Sequence, residues 1–88
     1  MGKDIIVIHP KDNVAVAVRE IRRGEKIEGD GGIELVALAD IPASHKVAIG
    51  EIAGGGMVVK YGEPIGEANQ DIKPGDWVHT HNIKLEDG

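Results

Sequence analysis

Four histidines and two lysines are the residues best suited to chemistry. His79-Thr80-His81 sets two imidazoles two positions apart. On a β-strand such residues share a face, where they could share a metal ion or bind a carboxylate; the competing reading is two exposed histidines at a strand end. His45-Lys46 follows Pro42-Ala43-Ser44 and puts an imidazole beside an ammonium. That pair can bind an anion jointly, or be a solvated pair on a turn. Lys60-Tyr61 offers a cation and a phenol, with a solvated lysine and an edge tyrosine as the alternative. His9-Pro10 precedes Asp12-Asn13, and a histidine half-buried where a strand leaves the core would explain it. Trp77 occupies an apolar slot and reads as core packing. Gly54-Gly55-Gly56 lacks the Lys-[Ser/Thr] that follows a phosphate-cradling loop, so it reads as a backbone bend. No Ser-His-Asp order and no paired-carboxylate spacing stands out. The residues alone give histidines near turns and no complete active site, so a partner would have to complete the chemistry.

The elements that position these residues are short and extended. β-Branched runs over residues 5–9 and 33–39, the Val/Ala alternation of 13–18, and the stretches 46–49, 57–61, 65–68 and 77–83 read as strands. Turn chemistry separates them at Lys11-Asp12-Asn13, Arg22-Arg23-Gly24-Glu25, residues 28–32, Gly62-Glu63-Pro64 and Lys73-Pro74-Gly75-Asp76. The expected class is all-β with at most short helices, in one domain over residues 1–88.

Composition sets the outer limits. Eighty-eight residues suffice for one modest core. With Tyr61 and Trp77 as the aromatic residues and no phenylalanine, that core must be aliphatic. The thirteen glycines count against a helical bundle. The net charge is −5 and no basic stripe exists to track phosphates, so nucleic acid is not expected as a partner. No apolar run reaches the ~18 residues of a membrane helix, and membrane partners are likewise not expected. The absence of cysteine excludes disulfides and thiolate metal sites. The cytoplasm is the default location.

A repeated pattern suggests how the turns are organised. Ile21/Gly24/Ile27, Ile52/Gly55/Val58 and Ile72/Gly75/Val78 share one spacing, and Ile41/Ser44/Val47 repeats it with serine for glycine. Laying residues 21–51 over 52–82 matches seven positions, including Gly24/Gly55, Ala37/Ala68, Asp40/Asp71, Ile41/Ile72 and Val47/Val78. Each unit is an apolar anchor, a turn suited to positive φ and an apolar strand start. The spacing predicts two similar hairpin units packed face to face about a pseudo-twofold, with Ile41 and Ile72 in a shared core.

Four separated motifs carry a family resemblance. These are His9-Pro-x-Asp12-Asn13-Val-Ala-Val, Ile41-Pro-x-x-His45-Lys46-Val-Ala, Val59-Lys60-Tyr61-Gly62-x-Pro64-Ile65-Gly66 and Asp71-Ile-x-x-Gly75-x-x-Val78-His79-Thr-His81-Asn82. Together they resemble the N-terminal domain of the altronate/galactarate dehydratase family, over roughly residues 6–83. The resemblance implies a SAF-type β-clip fold. It also implies a role as a small subunit, inactive alone, that works with a larger catalytic dehydratase subunit to eliminate water from a sugar acid. A divalent metal, usually iron(II), would take part in the assembled enzyme. The sulfolactate sulfo-lyase small subunit is similar in size and sequence, and a SAF-type module that only binds a small acid or a protein is a third reading; a homo-oligomer stays open. Carried over residue by residue, His45, Lys46, Lys60 and Tyr61 are the catalytic candidates. His9, Asp12 and Asn13 are the substrate-binding candidates, and His79 and His81 the metal candidates.

Overall fold

A computed structural model describes residues 3–85. Nine strands follow in order: β1 (Ile5–Ile6), β2 (Val14–Ala17), β3 (Lys26–Glu28), β4 (Glu34–Val36), β5 (Lys46–Ala48), β6 (Met57–Lys60), β7 (Glu63–Ala68), β8 (Trp77–Val78) and β9 (Ile83–Leu85). The helical content of the described residues is a single 3-10 turn, Asp30–Gly32. The all-β expectation therefore holds, as a small β-clip. Strands β1, β2, β5 and β8 form a four-stranded antiparallel sheet in that order. The β3–β4 hairpin and the β6–β7–β9 set form two smaller sheets.

The 31-residue duplication is present in the backbone. Ile21 bridges Ile41 and Ile52 bridges Ile72, both antiparallel. Gly24 and Gly55 each adopt φ +88°. Their N–H groups donate to the carbonyls of Ala37 and Ala68 at 2.8 and 2.7 Å. The Asp-Ile steps act alike: the Asp40 carboxylate accepts from Arg23 N–H and the Asp71 carboxylate from Gly54 N–H, both at 2.8 Å. Equivalence also reaches the central sheet, where Ser44 N–H donates to Ala17 and Gly75 N–H to Ala48. Ser44 takes the glycine slot at φ +72°.

Packing departs from the face-to-face expectation. Side chains alternate along a strand, and on the central sheet the alternation sorts them between two cores. Ala15, Ala17 and Val47 join Ile5, Ile21, Ile27, Ala37 and Ile41 under the first hairpin. Val14, Ala48 and Val78 join Ile52, Val58, Ala68, Ile72 and Ile83 under the second. The two hairpins thus cover opposite faces of one shared sheet. Ile41 and Ile72 are equivalent, as expected, but each anchors its own core rather than a common one.

Several element ends also differ from expectation. β1 is only two residues long, and Ile6 is 47% exposed because β1 is an edge strand. β3 and β9 are additional strands of three residues each, β3 with charged residues at both ends and β9 with one in the middle, too short for an alternation signal. Pro64 lies inside β7, opposite a register shift at Val58/Val59, where a bulge lets a strand dispense with the missing N–H. The last expected strand breaks at Val78, and β9 starts afresh at Ile83.

Candidate functional site

β5 and β8 bring the first group of candidates together. Val47 pairs with Trp77 and Lys46 with Val78. One further step of that register sets His45 opposite His79, on the Trp77 face of the sheet. The His45 and His79 rings are 4.8 Å apart between centroids. His79 stacks on Trp77 at 5.4 Å and an interplanar angle of 7°, and His81 packs on the same indole at 4.8 Å. Trp77 Nε1–H donates to His45 Nδ1 at 3.1 Å, which leaves the ring proton of His45 on Nε2. Trp77 packs against the first core, as expected, but it is also the platform on which three imidazoles meet. The missed signal was its place two residues before His79.

His79 and His81 are not on one strand face. Residues 79–82 form a turn, closed by the buried Asn82: its Oδ1 accepts from His79 N–H at 3.0 Å, and its Nδ2 donates to Trp77 O at 2.9 Å. Thr80-His81 therefore only mimics strand alternation, because Asn82 captures the backbone first. The histidines converge through the indole instead. Desolvation pushes the His79 imidazole below the ordinary histidine pKa, and the neighbouring His45, Lys46 and His81 add to the effect.

The second group stands on the other face of the same sheet end. Lys46 is half-buried and its pKa is lowered, first by desolvation and then by Lys60. Lys60, at the end of β6, lies 4.9 Å over the Tyr61 ring. Tyr61 turns the chain at φ +58°, and its ring is exposed. Neither lysine is among the five carboxylate ion pairs of the described residues, all of which fall within residues 3–34. Lys46 links the two groups, since it repels both Lys60 and His79.

The His9 loop completes the band. The His9 ring packs directly on Gly62, where an added Cβ would sit 3.0 Å from it. Asp12 and Asn13, candidates for substrate contact, have their side chains engaged in the scaffold. The Asp12 carboxylate accepts from Gly62 N–H at 2.8 Å and His9 N–H at 3.1 Å. Asn13 Oδ1 accepts from Val59 N–H and its Nδ2 donates to Met57 O, at 2.8 and 2.9 Å, so it bridges the bulged stretch of β6. His9-x-x-Asp12 and His79-x-x-Asn82 are the same device, an acid or amide capping the N–H of a histidine three residues back.

Asp12 supplies a pH prediction. Burial pushes its pKa up, but the Gly62, Tyr61 and His9 N–H groups and the charge of His9 outweigh that and hold it below the ordinary carboxylate value of 3.8. A lowered folded-state pKa contributes stability above the unfolded value, and that stability is lost as pH falls through the folded value. The wild-type midpoint in urea should therefore fall on acidification below pH ~4. Asp12→Ala should cost about 2–3 kcal/mol at neutral pH, as the Gly62 and His9 N–H groups lose their acceptor, and should flatten that acid dependence. An unchanged midpoint in Asp12→Ala would show that the loop holds without it.

The donor set does not make a metal centre by itself. Among the described residues no three His, Cys, Asp or Glu side chains stand close enough to hold an ion. A metal at His79 and His81 would need further ligands from another polypeptide. Two depressions at the first hairpin, about 280 and 200 Å³, are lined by none of the candidate residues.

The family model described as the altronate/galactarate dehydratase SAF domain matches residues 3–86. The chain belongs to that family. An altronate dehydratase of Bacillus subtilis is 43% identical over 93% of the chain. A galactarate dehydratase (L-threo-forming) of Escherichia coli is 35% identical over 91% of it. The SAF chain spans only 16% and 15% of the length of these two relatives. A (2R)-sulfolactate sulfo-lyase subunit alpha of Chromohalobacter salexigens is 34% identical and matches over 98% of both chains. No helix among the described residues is long and apolar enough to cross a membrane.

Proposed function

We propose that this SAF domain is the small component of a sugar-acid dehydratase and presents its histidine and lysine groups to an active site completed by a larger catalytic polypeptide. The supporting observation is the band at the end of the central sheet. His45, His79 and His81 gather on Trp77 at one face of the sheet end, and Lys46 and Lys60 stand at its other face with Lys46 near enough to act on His79, neither lysine being ion-paired to a carboxylate among the described residues.

Water elimination from a sugar acid needs a proton removed beside a carboxylate and the β-hydroxyl released. Lys46 and Lys60 hold the substrate carboxylate as point charges. His79 accepts the α-proton, since its lowered pKa keeps the ring neutral and its stack on Trp77 fixes its direction. His45 is oriented by the indole N–H and can donate from Nε2 toward the departing oxygen. The divalent metal that the resemblance implies finds no complete ligand set among the described residues, and the larger polypeptide would have to supply the rest.

Purified alone, the chain should turn over neither altronate nor galactarate. Mixed with the larger dehydratase-type polypeptide of the same organism, in the presence of ferrous iron, it should support formation of a 2-keto-3-deoxy acid. Full turnover by the isolated chain would defeat the proposal. A second reading rests on the end-to-end match to the sulfo-lyase subunit alpha: the same geometry would act on sulfolactate with sulfite leaving. Release of sulfite rather than water by the reconstituted enzyme would select it.

A further inference from the structure

The duplication leaves one strand edge filled in one half and open in the other. In the second half, β9 runs antiparallel along β7, pairing Gly66 with Leu85, Glu67 with Lys84 and Ala68 with Ile83. Asn69 N–H extends the ladder to Asn82 O at 3.0 Å. Thirty-one residues earlier, the matching edge is that of β4. Leu38 N–H donates to Gly75 O at 3.0 Å, the counterpart of the Asn69–Asn82 bond. There the likeness ends: after Gly75 the chain leaves for β8, and the described residues supply no second strand on the edge of Glu34–Val36 away from β3.

The open edge carries donors and an acceptor. Ile33 and Ala37 bond toward β3, through Gly29 N–H, Gly24 N–H and Glu25 O. Alternate residues of an antiparallel strand point their groups the other way, so the N–H groups of Glu34 and Val36 and the carbonyl of Glu34 face outward. Val36 is 55% exposed and Leu38 43%. A depression of about 280 Å³ lined by Gly24, Lys26, Glu34, Leu35 and Val36 adjoins this edge.

We propose that the β4 edge is a strand-addition site, taken by an extended apolar–basic–apolar segment of a partner polypeptide. The occupied half shows what fits: the Ile83-Lys84-Leu85 strand. Charge supports a basic segment, because residues 20–40 carry six acidic and three basic side chains. The same charges oppose a second copy, which would bring two acidic hairpins together. Main-chain bonds give such docking its affinity and the alternate side chains its selectivity.

The probe is a capped peptide with the sequence of residues 80–85, titrated to millimolar concentration into the whole chain and followed by amide NMR and hydrogen exchange. The amides of Glu34 and Val36 should shift saturably and exchange several-fold more slowly. A peptide with proline for its lysine should have no effect. Val36→Pro should fold, since proline is tolerated where an N–H faces outward from an edge, and should not bind. Absence of any response, or shifts centred on Gly66–Ala68 through displacement of β9, would overturn the proposal. So would concentration-dependent shifts at Glu34 and Val36 without peptide, together with a doubled mass in solution, since they would give the edge to a second copy.

Discussion

Gly75→Ala unfolds or severely destabilises the chain. Gly75 sits at φ +95°, a region that costs a residue with a Cβ about 1–2 kcal/mol. Its added Cβ would also overlap the Val36 carbonyl oxygen. The backbone cannot retreat freely, because Gly75 O accepts from Leu38 N–H and Gly75 N–H donates to Ala48 O. Overpacking adds about 1–3 kcal/mol, for a total of roughly 2–5 kcal/mol against the ~5–15 kcal/mol that holds a small domain together. Gly24 is the control. It has a similar φ of +88° with nothing within 4 Å, so Gly24→Ala should cost only the backbone share, about 1–2 kcal/mol. Urea unfolding of both variants by circular dichroism checks the difference; equal losses would mean that the contact with Val36 relaxes at no cost.

His79→Ala removes the activity of the assembled enzyme while leaving the fold. The ring is half-buried and stacks on one face of Trp77, and the turn beneath it is tied by the His79 main chain, which alanine keeps. Loss of a general base costs about 10²–10⁴-fold in rate. Activity needs the neutral ring, so kcat/KM should fall as pH drops through the His79 pKa, which desolvation, with His45, Lys46 and His81 adding to it, places below the ordinary 6.5. Lys46→Gln removes one of those neighbours. Whatever it does to the rate, it should move the acid limb upward, toward the ordinary histidine value. An acid limb that stays in place in Lys46→Gln, or near-normal turnover in His79→Ala, would reduce these rings to a surface cluster.

What the sequence disclosed depended on whether a residue's job was local. Gly24, Gly55 and the Asp40 and Asp71 steps were legible because one turn type needs those residues at that spacing, whatever packs around it. The separation into two cores was not legible. It arises from alternate residues of Val14-Ala15 and Val47-Ala48, and runs buried on both faces carry no polar phase to show that they divide. The histidine turn misled for a similar reason: His79-Thr80-His81 has a strand's alternation, and only the capping reach of Asn82 turns it. The short strands β3 and β9 exist through their partners rather than their own composition, so β3 fell between turns and β9 past the last expected strand. The gathering of His45 with His79 follows from register across two strands, which no local pattern encodes.

The stack of His79 on Trp77 gives the protein an optical property of its own. Trp77 is the chain's single tryptophan, so its tryptophan emission, excited at wavelengths that pass over Tyr61, arises wholly at the imidazole cluster. A protonated imidazole against an indole face draws excited-state charge and quenches emission, whereas a neutral one does so far less. The unlabelled chain therefore reports the charge state of its histidines as brightness. Anything that settles over the cluster and excludes solvent from the indole moves that emission toward the blue.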